Sequence, residues 1–233
     1  MELFKDIHFY EMLLRWGHLL AGVTWIGLLY YFNFVQGEYF KEADGGAKSD
    51  AIQKLVPRAL WWFRWGAVLT LLTGLGIMGI RGSGQSLDIY IGALLAIIMF
   101  TNVWLIIWPN QKIVIASATQ VANGGQALPE AAGALAAAGL ASRTNALFSV
   151  PMLYFMGAST HFPHGFNILS FLIAATIILA LEYNGAYPAL KNVGFLSKLP
   201  PAGKMGPYSS VKGVIHCGLG LTVILFLIVD FIK

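Results

Sequence analysis

The residues of this chain best suited to chemistry are its five histidines, His8, His18, His161, His164 and His216. Four of them lie in stretches free of Lys, Arg, Asp and Glu, and a ligating or ionisable group at membrane depth is costly enough to mark a candidate functional site. His18 falls one turn below Arg15 at the outer part of the first apolar stretch. His161 and His164, in Thr160-His161-Phe162-Pro163-His164-Gly165, sit at the outer end of a later one, and His8 precedes the first on the same side. His216, four residues after Lys212, starts from the opposite surface, so one ion cannot easily meet both His18 and His216 across a hydrocarbon slab of roughly 30 Å. The expected ligand pair is therefore His18 with His161 or His164.

Two imidazoles from neighbouring helices suit a b-type haem, its axial nitrogens fixed by packing and its macrocycle held between apolar walls. Trp16, Trp25, Tyr30 and Phe155 are the expected walls. Copper is the competing occupant, since neutral imidazole serves it equally. Each histidine also has a plainer reading: a hydrogen bond to another helix for His18, an interfacial turn for His161 and His164, a tail residue for His8. His216 is expected to bond a carbonyl or, alternatively, to bind a second haem. Arg15 is a lesser site candidate, because a basic residue at a span end more often snorkels to headgroups.

These residues need elements to position them, and composition says which. Hydrophobic residues make up 57% of the 233 and charged residues 11%, against roughly 25% charged in an average soluble domain. Charge-free runs at 16–37, 65–80, 89–111, 144–181 and 213–229 are each long enough, with their flanks, to cross a bilayer as helix, and 144–181 is long enough to cross twice. The expectation is an all-α integral membrane bundle of about six transmembrane helices, at 10–36, 59–81, 88–110, 143–163, 166–187 and 210–232, forming one domain over 1–233. The first run is too long for a removable leader and lacks a small-residue cleavage site.

The loops set the orientation. Eleven Lys and Arg residues fall in loops one, three and five, against Lys5, Arg15, Arg81 and Lys233 on the other side. The positive-inside rule then places those loops in the cytoplasm and both termini on the periplasmic side of a bacterial inner membrane. Residues 37–58, with Gly45-Gly46, read as a loop ending in a short helix. Residues 111–142 read as an extension of the third helix and, after Pro129, a helix leading into the fourth span; alternatively 131–163 is one long helix.

Several functions are excluded. The single Cys217 allows no intrachain disulfide and no CxxCH haem attachment. The net charge of +4 is scattered over loops with no aromatic-basic stripe for nucleic acid. No Walker sequence, HExxH, GxSxG or dinucleotide fingerprint supports hydrolase or nucleotide chemistry. Asn33, Asn102, Asn110, Asn145 and Glu182 read as hydrogen-bonding groups between helices.

Three segments carry a resemblance: Arg15-Trp16-Gly17-His18 through Phe34-Val35-Gln36, Asn102-Val103-Trp104 through Asn110-Gln111-Lys112, and Ala141-Ser142-Arg143-Thr144-Asn145 through Met156. In order and content they resemble the membrane domain of bacterial membrane-bound urate hydroxylases. Members of that family typically join this domain to a C-terminal cytochrome c, which implies that electrons leave through haem. The present sequence holds no CxxCH, so the resemblance implies a separate c-type cytochrome as acceptor. Two functions follow as expectations. One is a redox subunit holding haem b and passing electrons from a urate-like or other reduced donor to an external cytochrome. The other is a non-catalytic accessory subunit packed against other subunits of a larger respiratory or oxygenase complex in the bilayer.

Overall fold

The computed structural model of the chain describes residues 6–232; Lys5 and Lys233, two of the four basic residues on the sparsely charged side, lie outside that range. The described residues are helical with no strand. Five helices are long and apolar enough to cross a membrane: α1 (Ile7–Glu42), α2 (Gly45–Arg81), α3 (Leu87–Ala122), α5 (Ile168–Leu190) and α6 (Val211–Phe231). Between α3 and α5 runs α4 (Ala131–His161), a single helix of 31 residues, so the region after Pro129 takes the long-helix form. The chain is thus an all-α, multi-pass membrane protein.

α4 is less apolar than its neighbours for a reason visible in its packing. It contacts α1, α3, α5 and α6, so its faces meet protein rather than lipid and can carry small and polar residues. Ala137, Ala138, Ala141, Thr144, Asn145 and Ser149 on it are all buried. Lipid tails are as apolar as leucine, so close packing of small residues and interhelical hydrogen bonds hold such a bundle, and not water exclusion. Gly218 of α6 shows the closeness: a Cβ there would stand 2.7 Å from Val150 Cγ2 of α4.

The segment 37–58 corrects the loop expected there. Helix continues on both sides, and the break between α1 and α2 is two residues, Ala43 and Asp44. Asp44 is the reason: its carboxylate accepts a hydrogen bond from Ala47 N at 2.8 Å, capping the start of α2 and making Gly45-Gly46 its first turn. At ~1.5 Å per residue α1, α2 and α3 reach about 54 Å, well beyond the thickness of a hydrocarbon core, so they project past it on the side of the α1–α2 turn. Asp44→Ala is expected to destabilise this projecting hairpin by about 1 kcal/mol, read as faster backbone hydrogen exchange over 43–50.

Three π-turns interrupt the long helices, at Tyr31–Gln36, Ala51–Leu55 and Val103–Ile107. Two of them precede a proline. Pro57 and Pro109 have no N–H for the carbonyls of Gln53 and Leu105 four residues back, and the wider turn accommodates that missing bond. The third carries Asn33, whose Nδ2 donates to Leu29 O and to Ser142 Oγ of α4 at 2.9 and 2.8 Å.

Candidate functional site

α1 and α2 form an antiparallel hairpin, while α3 and α4 form the next layer. Where the hairpin leans on α3 and α4 toward the end of the bundle that holds the α2–α3 turn, the packing leaves a cavity of about 490 Å³. Its size falls within the ~300–1,000 Å³ range of ligand pockets. Both His18 and His161 line it, with Trp25, Met78, Met152 and Met156 among its apolar walls and Arg15 and Arg81 also on its lining.

His18 is held by α2. Its Nδ1 lies 3.1 Å from Thr73 Oγ1, and Thr73 already gives its hydroxyl hydrogen to Leu69 O at 2.6 Å. The hydroxyl oxygen must therefore accept, which places the His18 hydrogen on Nδ1 and leaves Nε2 as the lone-pair nitrogen. Room for the ring comes from Gly74, where a Cβ would sit 3.1 Å from His18 Cε1. His161, in the last turn of α4, is exposed, and its ring makes no hydrogen bond to another described residue.

Two guanidiniums share one carboxylate beside the cavity. Glu11 Oε1 accepts from Arg15 Nη2 at 2.9 Å and from Arg81 Nε at 2.8 Å. The first pair spans one helical turn and is visible in the sequence; the second joins α1 to the end of α2. Arg15 thus faces both Glu11 and the cavity.

His164 is placed elsewhere. Its Nδ1 lies 2.9 Å from Asp88 Oδ1, its backbone N–H donates to Asp88 Oδ2 at 2.7 Å, and its carbonyl accepts from Leu87 N at 3.0 Å. Asp88, in the first turn of α3, is fully buried, so the turn between α4 and α5 is fastened to α3 by three hydrogen bonds. The other ring nitrogen stands 3.7 Å from Asp230 Oδ1 of α6. His164 lines a second, more open cavity of about 630 Å³ that shares Arg81, Gln85, Ile89 and Ser159 with the first.

The structure therefore brings His18 and His161 to one cavity and sets His164 in the adjoining one. His216 and His8 are exposed, away from both. Of the expected walls only Trp25 lines the cavity. Trp16 is 61% exposed and points away from the bundle, and Tyr30 lies deeper, its hydroxyl 2.9 Å from Ser149 Oγ. Among the described residues no group of three or more His, Cys, Asp or Glu forms a metal cage. Sequence reasoning did not single out Thr73, Gly74, Glu11, Arg81 and Asp88 as site residues, because all except Glu11 act through partners more than fifty residues away.

Residues 82–192, just under half of the chain, match the family model described as urate oxidase N-terminal. The segments at 102–112 and 141–156 lie inside that match, which bears out the resemblance they carry; the segment at 15–36, with His18, lies outside it. No curated protein and no solved structure matches the chain.

Proposed function

We propose that this urate hydroxylase-related chain is a redox subunit of the bacterial inner membrane, holding a b-type haem in the outer cavity between His18 and His161 and passing electrons to a separate c-type cytochrome. The observation that carries the reading is the single cavity lined by both histidines, with His18 held in the tautomer whose Nε2 is free to ligate. In this reading α4 is the sixth span and both termini face the periplasm, which puts the cavity on the side of the acceptor.

The residues present fit that group. Thr73 orients the His18 ring through Nδ1, the outer-sphere support that ligating imidazoles commonly receive. His161, at the end of α4, would be the second imidazole to hold it. Trp25 and the three methionines would exclude water from the bound group, and Arg15 and Arg81, also on the lining, would offer charge-assisted donors to its carboxylates. Gly74 leaves the space that a side chain would fill. Bound there, the haem supplies reversible one-electron chemistry, and the protein tunes it through axial ligands, burial and the neighbouring guanidiniums. A reduced donor, urate-like in the family reading, delivers its electrons through the same outer end.

The test is a reduced-minus-oxidised visible spectrum of protein purified in mild detergent, with metal analysis of the same sample. A b-type α-band is expected in the wild type and at least a tenfold smaller one in His18→Ala. Stoichiometric copper without haem would move the occupant to the competing ion. A featureless spectrum with no bound metal would end the redox reading.

A further inference from the structure

A second buried constellation lies at the other end of the bundle and involves none of the cavity residues. Asn102 of α3, Asn145 of α4 and Glu182 of α5 stand about 21–24 Å from the outer ends of their helices at ~1.5 Å per residue. That is one level, in the inner third of a hydrocarbon core of roughly 30 Å.

The hydrogen bonds there leave no choice of amide orientation. Asn145 Nδ2 donates to Met99 O at 2.9 Å, so its oxygen faces Asn102. Asn102 Nδ2 then donates to both Asn145 Oδ1 and Glu182 Oε2, each at 2.9 Å. The consequence falls on Asn102 Oδ1: it belongs to a residue 1% exposed and has no hydrogen-bond partner among the described residues. A buried acceptor of this kind calls for a donor.

Glu182 lacks a counter-charge. None of the ion pairs among the described residues includes it, and one amide hydrogen bond does not offset the loss of hydration for a carboxylate at this depth. Both deficits disappear together if the group is the un-ionised acid. Its O–H meets Asn102 Oδ1 while its carbonyl oxygen accepts from Asn102 Nδ2, the paired geometry of an acid and a primary amide.

The side facing the inner loops is polar. Tyr208, buried in the turn before α6, lies near Glu182 and is hydrogen-bonded to Thr144. Its hydroxyl also accepts from Asn184 Nδ2. Asn184 Oδ1 in turn accepts from Gly203 N and Lys204 N at 2.9 and 3.0 Å. Burial raises the Tyr208 phenol above its ordinary range against the lowering effect of its hydrogen bonds with Asn184 and Thr144, so it stays a protonated hydroxyl. Among the described residues, α3 and α4 contribute Asn102, Asn145 and Thr144 to this network.

We propose that Glu182 is a membrane-embedded proton-binding site, paired with Asn102 and reached from the inner face past Tyr208 and Asn184. Loading is balanced by the aqueous phase: a hydronium ion gives its proton to the carboxylate and becomes water, and release is the reverse. The site gives the subunit a means of taking up or releasing a proton on the basic-loop side, whatever occupies the outer cavity.

Infrared spectroscopy of the full chain in lipid bilayers, with glutamate carboxyls labelled with carbon-13, tests this directly. Glu11 is ion-paired, and Glu38, Glu42 and Glu130 lie on the projecting inner segments, so none of these four gives the band of an un-ionised acid at neutral pH; loss of the band on substituting Glu182 separates it from the remaining glutamate, Glu2. The expected result is one isotope-shifted C=O stretch of an un-ionised acid at pH 7, lost in Glu182→Gln. Glu182→Asp, which keeps an acid but not the label, is expected to lose the labelled band too, so one folded variant suffices. No labelled un-ionised band in the wild type, or the same band in either variant, overturns the proposal.

Discussion

Gly185→Val is expected to destabilise the bundle by about 3 kcal/mol, the upper end of what overpacking a tight core costs. Gly185 of α5 lies against Thr144 of α4, and a Cβ there would stand 2.8 Å from both Thr144 Cβ and Cγ2. Thr144 is 1% exposed and gives its hydroxyl hydrogen to Leu140 O, so it has nowhere to turn. The two helices must separate, and the Asn102–Glu182 pair one turn away opens with them. Gly79→Ala is the control, because a Cβ there meets nothing within 4 Å and alanine favours helix by up to about 1 kcal/mol. Circular dichroism during titration with denaturing detergent measures both, and equal midpoints for the two variants would show that the α4–α5 contact is not tight.

Asp88→Ala is expected to cost about 2–4 kcal/mol, from losing a buried carboxylate that satisfies two donors and leaving both donors without acceptors. The backbone N–H of His164 loses its partner along with the ring, so the damage falls on residues 162–167 as a unit. His164→Ala removes only the ring bond and should cost less than half as much. In Asp88→Ala, hydrogen exchange over 162–167 should rise at least tenfold while the interior of α3 stays protected. Unchanged exchange there would mean that the turn is held by something other than Asp88.

Both effects concern contacts between distant parts of the chain, and there the sequence was least legible. The spans could be read because absence of charge over twenty or so residues is a local property, whereas the single course of α4 stood only as the alternative reading of 131–163. The helical course through 37–58 was missed because Gly45-Gly46 and nearby charges resemble a loop, whereas one capping carboxylate, Asp44, decides the matter. Depth along a helix is also local, which is why His18 and His161 could be assigned to one end together. The same reasoning could not separate His164 from them, since its fate is set by Asp88, 76 residues earlier. Glu11 with Arg81 and Asn102 with Glu182, 70 and 80 residues apart, left no local trace either. Asn102, Asn145 and Glu182 were legible as interhelical polar groups, but not as one layer with an unsatisfied oxygen.

The π-turns change how the long helices must be read. Each takes up one residue more than an α-turn, so the stripe of inward-facing positions slips by about 100° on passing through it. In α1 the residues after Tyr31–Gln36 are offset in phase from those before it, as though two helices had been spliced end to end. A pattern fitted to either half alone predicts the wrong face for the other. One helix can thus serve separate neighbourhoods along its length: His18 is turned to α2, and Asn33, within the splice, is turned to α4.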